Sequence, residues 1–320
     1  MSATTATSTS NILINNLANG FFFPFWNNFD GITLGVVPNF SLISSSGVHK
    51  VSVTRVESLR KKYIHQGLLD KYRNGKNGSS YENVYRHSTS NLSVILDTGS
   101  PQLWVVDSTV NNSTGKKVFH QKASTSYHNN GTKFINYYGT GSSSGFLGYD
   151  TVELGTPGDT IFHIKNTLFG QVTDMDEIMA DSQMDGIFGL SMMVDEADPI
   201  FTVYLNSSDD DSKYGKHNEG GVFTFGGADA DNCGPVIDWV NMTSENYYQF
   251  KLDGMTIEGK FNGSKSMNVV VDSGCSISPA LIPIAKSLAE AVGAKLKEGS
   301  MDGTVYSIDC DASYLLWCWK

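Results

Sequence analysis

Two short segments of this 320-residue chain repeat each other 175 positions apart. Val94-Ile95-Leu96-Asp97-Thr98-Gly99-Ser100 is matched by Val269-Val270-Val271-Asp272-Ser273-Gly274-Cys275. Each is an apolar, β-prone run ending in an aspartate, a small hydroxyl residue and a glycine. Two such copies at the tips of buried strands point to two lobes that bring one carboxylate apiece to a shared cleft. Carboxylates in contact cannot both ionise, so the pair shares a proton. Paired carboxylates are a means of activating a bound water. Alone, Asp-Thr-Gly is ordinary turn chemistry. The apolar run before each copy, the Leu103-Trp104-Val105-Val106 run after the first, and the repetition itself make it a candidate site.

The rest of the chain must position those turns. At 320 residues it can build one large domain or two lobes. With 40% hydrophobic and only 18% charged residues, 32 Gly and 14 Tyr, it has a globular, β-leaning composition rather than a disordered one. From about Tyr81 short strands punctuated by Gly, Asn and Asp predict an all-β body. One late helix stands out: Pro283 suits a first turn, Ile284, Leu288 and Val292 share a face, and Gly293 ends it. Residues 48–72 read as a strand followed by a helix, and Gly75-Lys76-Asn77-Gly78-Ser79-Ser80 as a linker.

Net charge is −10, but unevenly spread. Eight basic residues (Lys50, Arg55, Arg60, Lys61, Lys62, Lys71, Arg73 and Lys76) face only Glu57 and Asp70 within 50–76, ahead of a strongly acidic body. Such a segment could bind an external polyanion or the chain's own acidic surface. No aromatic interleaving or nucleic-acid module accompanies it, which favours the intramolecular reading over a nucleic-acid partner. No apolar run is long enough to span a bilayer, so no membrane partner is expected. The four cysteines (Cys233, Cys275, Cys310, Cys318) lack metal-type spacing and allow three pairings. The seven histidines are scattered, and no metal or cofactor is called for. Nine Asn-x-Ser/Thr sequons, at Asn39, Asn77, Asn91, Asn111, Asn112, Asn130, Asn206, Asn241 and Asn262, favour the secretory route. Phe21–Trp26 and Ile32–Val37 are short and broken by Pro24 and Pro38, and no Lys or Arg precedes Lys50 to form a signal peptide's basic end. Residues 1–46 therefore read as unstructured, or as wrongly assigned to the gene product.

From about Val48 to Cys310 the chain resembles the pepsin-like aspartic peptidases, the nematode members most of all. Beyond the two Asp turns, Gly139 to Val152 resembles the family's flap hairpin, with Tyr138 matching its flap tyrosine. Asp185-Gly186-Ile187-Phe188-Gly189-Leu190 resembles the strand closing the first lobe beneath its aspartate. Phe201–Leu205 and Gly220–Gly227 resemble the strands opening the second. The resemblance implies an all-β, bilobal fold: a basic prosegment at 47–78, an N-terminal lobe at 79–195 and a C-terminal lobe at 196–320. It implies a catalytic pair at Asp97 and Asp272, with Tyr138, Gly139, Thr140 and Trp104 covering the substrate. Thr98 and Ser273 would join the two turns, and Gly99 and Gly274 would let backbone N–H groups approach the carboxylates. Ser100 would bond the outer oxygen of Asp97, and Cys275 takes the same place for Asp272. Without the resemblance, Tyr138 also reads as a plain hairpin aromatic and Trp104 as a core residue. The implied activity is that of a zymogen-derived endopeptidase, secreted or lysosomal and monomeric. It would cleave polypeptides at acid pH, beside bulky apolar residues.

The pattern departs from the family in four places. Arg86-His87-Ser88-Thr89 stands where a Gly-Thr-Pro-Pro turn is usual, and the stretch between Leu190 and Pro199 is short by about a helix. Cys275 replaces a hydroxyl, and a thiol is a poor donor. After Asp272 only 48 residues remain, against 90 positions from Asp97 to the closing Ile187. The second lobe is therefore expected to be incomplete and to lack the strand under Asp272. Cys310 resembles a family disulfide cysteine whose partner falls in the missing part, with Cys318 an accidental companion. The alternative reading is a catalytically dead truncated homologue, a secreted peptide-binding or vestigial protein.

Overall fold

The computed structural model describes residues 11–15, 32–35, 48–55, 81–87, 90–111, 115–138, 141–155, 161–191, 200–205, 219–244, 246–257, 261–263, 266–275, 281–296, 306–307 and 317–319. The chain is all-β. Its first strands are β1 (Asn11–Asn15), β2 (Ile32–Gly35) and β3 (His49–Arg55). Next come β4 (Tyr81–His87), β5 (Ser90–Asp97), β6 (Leu103–Val106), β7 (His128–Tyr138), β8 (Gly141–Leu154), β9 (Phe162–Met175) and β10 (Gly186–Gly189). A five-residue helix, α1 (Glu177–Asp181), separates β9 from β10.

Six of these strands close on themselves. β4 pairs with β5, β5 with β10, β10 with β6, β6 with β9, β9 with β8, and β8 returns to β4 through Tyr85↔Leu154 and Arg86↔Glu153. Closure removes the open edges that a sheet this size would otherwise expose. β7 lies outside the ring as the second arm of a hairpin with β8. β8 shows the period of two expected of a half-buried strand: Gly148, Asp150, Val152 and Leu154 are buried and their neighbours partly exposed.

The strands that carry the first aspartate differ, because both of their faces are covered. Leu92, Val94 and Leu96 of β5, Leu103 and Val105 of β6, and Phe188 of β10 join one core. Ile95, Trp104, Val106 and Ile187, which alternate with them, join a second core with Val172, Met175 and Met179. Burial on both faces is why these segments read as unbroken apolar runs rather than alternating ones.

The second half begins with β11 (Ile200–Leu205), β12 (Glu219–Phe225) and β13 (Val236–Asn241). They continue the sheet in the order β13-β1-β2-β11-β12-β3-β4. Two of the strands in that run, β1 and β2, come from residues 1–46, where the sequence predicts no regular structure. β3 lies between β12 and β4, and its Val51 and Val53 are buried in the main core. Lys50 on β3 bonds Asp229 and Asp231, in the turn after β12, at 2.6 Å each. The remaining basic residues of 56–76 lie outside the described residues, as do the helix predicted there and the Gly75–Ser80 linker.

β14 (Gln249–Leu252) pairs with β17 (Met267–Val270), and β15 (Met255–Ile257) with β16 (Phe261–Gly263) and β20 (Trp317–Trp319). β18 (Lys295–Leu296) pairs with β19 (Tyr306–Ser307). Helix α2 (Ile282–Ala291) has Pro283 in its first turn, and Gly293 ends it in the left-handed region at φ 67°. Its Leu288 and Ala289 are buried. Among the described residues β17 pairs with β14 alone, and Val270 is 42% exposed. No described helix is long and apolar enough to cross a membrane.

Phe188 is the keystone of the first ring: it is 1% exposed and pairs with Leu96, the residue before Asp97. Phe188→Ala should destabilise the protein by about 3–5 kcal/mol, read as a drop in the urea midpoint at unchanged slope.

Candidate functional site

Asp97 ends β5, and its turn is fixed from below by β10. The Leu190 N–H donates to the Asp97 carbonyl at 2.7 Å, and the Ser191 N–H to the Ser100 carbonyl at 3.0 Å. Gly189 passes so close to the 100–102 backbone that a side chain there would collide with it. Asp272 follows β17 on the other half, where the Val271 N–H donates to the Tyr248 carbonyl at 3.0 Å.

The two turns meet through an exchange of hydroxyls. The Thr98 hydroxyl donates to the Val271 carbonyl at 2.9 Å and accepts the Ser273 N–H at 2.8 Å. Reciprocally, the Ser273 hydroxyl donates to the Leu96 carbonyl at 2.7 Å and accepts the Thr98 N–H at 3.1 Å. Each hydroxyl thus satisfies one donor and one acceptor of the opposite backbone. Thr98 is fully buried, so the loss of either hydroxyl would leave buried backbone groups without partners.

This exchange presses the carboxylates together. A Cβ added to Gly99 would overlap the Asp272 carboxyl group, and one added to Gly274 would overlap that of Asp97. Each glycine also donates its N–H to its own aspartate: Gly99 to Asp97 at 2.8 Å and Gly274 to Asp272 at 2.9 Å. The Ser100 hydroxyl donates to Asp97 Oδ2 at 2.5 Å. Asp272 is hydrogen-bonded to Asp97 and takes a further N–H from Cys275. Burial first, then the charge of Asp97 and the bond to it, push Asp272 up to about 7, against the pull of the Gly274 and Cys275 N–H groups. Two carboxyls held in such contact share one proton, which belongs to the pair rather than to either residue.

Above the pair stands Tyr138, the last residue of β7. Its hydroxyl accepts from Trp104 Nε1 at 2.8 Å and from Asn136 Nδ2 at 3.2 Å, and it also bonds Ser100. Since the Ser100 proton goes to Asp97, the phenol is the donor to Ser100. Burial, opposed by the Trp104 bond and reinforced by the Asp97 charge, raises the Tyr138 phenol above its ordinary range and keeps it protonated. A donor chain therefore runs from Trp104 through Tyr138 and Ser100 to Asp97. Gly139 and Thr140 lie outside the described residues. The hairpin's return arm is anchored by Asp176, whose carboxylate takes the N–H and hydroxyl of Ser142.

The structure thus brings together Asp97, Thr98, Gly99, Ser100, Trp104, Tyr138, Asp272, Ser273, Gly274 and Cys275. Sequence reasoning missed three contributors. Asn136 sits two residues before Tyr138, on the same face of the strand, a spacing that could have marked it. Asp176 carries no signal beyond its place before a short helix. Tyr248, 1% exposed, donates its hydroxyl to the Leu190 carbonyl at 2.7 Å, tying the second half to the backbone that supports Asp97; nothing local marks that reach. No group of three or more His, Cys, Asp or Glu suited to a metal occurs among the described residues.

The upward shift of Asp272 has a thermodynamic consequence. Between its ordinary 3.8 and about 7 the unfolded chain ionises this carboxyl while the folded chain keeps it protonated, so stability falls as pH rises through that window. The thermal midpoint should fall from pH 4 to pH 7, and Asp272→Asn should reduce that slope in differential scanning calorimetry.

Set beside known proteins, residues 87–316 match the sequence profile described as eukaryotic aspartyl protease. Aspartic protease 6 of Caenorhabditis elegans is 33% identical over 237 residues, covering 68% of this chain and 59% of that protein. Aspartic protease 2 of Necator americanus is 29% identical over 276 residues, covering 68% of this chain and 62% of that protein. Cathepsin E of Rattus norvegicus is 31% identical over 317 residues, covering 84% of this chain and 76% of that protein. The chain thus spans about three fifths of the length of the two nematode relatives.

Proposed function

The chain belongs to the eukaryotic aspartyl protease family, and on that premise we propose that it is an aspartic endopeptidase with Asp97 and Asp272 as its catalytic pair. The observation that carries this reading is the hydroxyl exchange between Thr98 and Ser273, which holds two carboxyls in contact where they must share a proton. Ionised Asp97 takes a proton from a water between the pair, and the water oxygen adds to the peptide carbonyl carbon. Protonated Asp272 gives its proton to the carbonyl oxygen. As the resulting gem-diol collapses, Asp272 takes a proton from one of its hydroxyls, the C–N bond breaks, and Asp97 gives its proton to the leaving nitrogen, so the pair again holds one proton.

Ser100 and Gly99 hold Asp97 by donation, and Gly274 and Cys275 hold Asp272. Tyr138, with Gly139 and Thr140, forms the flap that closes over an extended polypeptide and excludes water, and Trp104 fixes the flap's tyrosine. Bulky apolar residues beside the scissile bond are the expected substrate preference. The basic 47–78 segment acts as a prosegment, with β3 and the Lys50 ion pairs as its described foothold. The enzyme works as a monomer in the secretory route, secreted or lysosomal. In support, the five sequon asparagines among the described residues (Asn91, Asn111, Asn130, Asn241 and Asn262) are all exposed, as oligosaccharide transfer requires.

The test is hydrolysis of a quenched peptide between pH 3 and 6. Acid-dependent cleavage is expected that pepstatin blocks and that Asp97→Ala lowers at least about 10²-fold. Soluble, folded protein without such cleavage would overturn the reading in favour of a non-catalytic relative. If Trp104 acts by fixing the flap tyrosine, Trp104→Phe, which removes one donor and keeps an aromatic ring, should lower kcat/KM by about 2- to 10-fold.

A further inference from the structure

The two carboxyls are not chemically equivalent, and the difference lies three residues beyond each. At Asp97 that residue is Ser100, whose hydroxyl donates to the outer oxygen Oδ2. At Asp272 it is Cys275, partly exposed in the same turn, whose backbone N–H bonds the carboxyl. The turns are otherwise matched, with each glycine N–H on its own aspartate and each hydroxyl on the opposite backbone. A hydroxyl donated to a carboxylate favours the anion, whereas a thiol is a weak donor and favours it far less.

We propose that Cys275 is the positioning residue that assigns the shared proton to Asp272, by withholding the strong donor that Ser100 gives Asp97, and that it thereby extends the pair's working range toward neutral pH. The inference rests on reading Asp97 and Asp272 as one working pair. The groups acting on Asp272 are consistent with it. Asp97 faces it from the end of β5, and the Tyr138 phenol bears on Asp97 through Ser100 from the β7–β8 hairpin. Cys275 and Ser273 flank it on its own turn. Of these, Cys275 is the one whose donor strength departs from its counterpart in the other half.

The experiment is a carboxyl titration by carbon NMR on the full chain labelled at aspartate Cγ. The Asp272 resonance is identified by its loss in Asp272→Asn. Cys275→Ser should lower the Asp272 midpoint by about one pH unit, the worth of one hydrogen bond to a charged group. Cys275→Ala, which has no side-chain donor, should leave the midpoint near that of the cysteine protein. The upper limb of kcat/KM against pH should follow the same order, with only the serine variant shifted toward acid. A midpoint unmoved by serine, or moved equally by alanine, would overturn the proposal, since size rather than donation would then be at work. Should the protein cleave no peptide at all, the endopeptidase reading fails, while the titration still decides the role of Cys275.

Discussion

The reciprocal bonding of Thr98 and Ser273 is the constraint on which the rest depends. Two turns from distant parts of the chain are joined by hydroxyls that each close a donor and an acceptor of the other's backbone. In a buried setting such bonds are costly to break, because the groups released have no water to turn to. The carboxyl contact is a by-product of that junction. Two acids held this close raise each other's cost of ionisation, and that cost is borne by the backbone exchange rather than by any attraction between the acids themselves. An arrangement unfavourable by itself is thus kept by a favourable one beside it.

Around this junction the two halves are built to different degrees of enclosure. Asp97 rests on a closed ring of six strands, with β10 running parallel to β5 directly beneath it. Asp272 follows a strand that, among the described residues, has one neighbour. What the second half offers instead is Tyr248, buried and bonded to Leu190, so part of its anchorage is taken from the first half's own support. The same reliance appears in β3, which stands between the two halves in the sheet and is fastened to the second by Lys50.

How much of this could be read from the sequence follows from the range of each interaction. The apolar runs of β5, β6 and β10 were legible because burial on two faces leaves an uninterrupted signature. The α2 helix was legible because its proline and glycine mark its ends within a dozen residues. The pairing of the Asp97 and Asp272 turns was legible through repetition, which needs no knowledge of distance. Tyr248, Asp176 and the Lys50 partners were not, because each is an ordinary residue until the fold sets it beside its partner, 58 residues away for Tyr248 and Leu190 and 179 for Lys50 and Asp229. The two strands within 1–46 escaped for another reason: they pair with β11 and β13 and carry no strong alternation of their own.

The glycines of the two turns carry one further meaning. The space where a Gly99 side chain would lie is filled by the Asp272 carboxyl, and the space beside Gly274 by that of Asp97. Each half therefore stores part of its shape as an absence in the other. A mutation at either glycine would act on the carboxyl of the opposite half, more than 170 residues away in the chain. Neither turn can shift without displacing the carboxyl of the other.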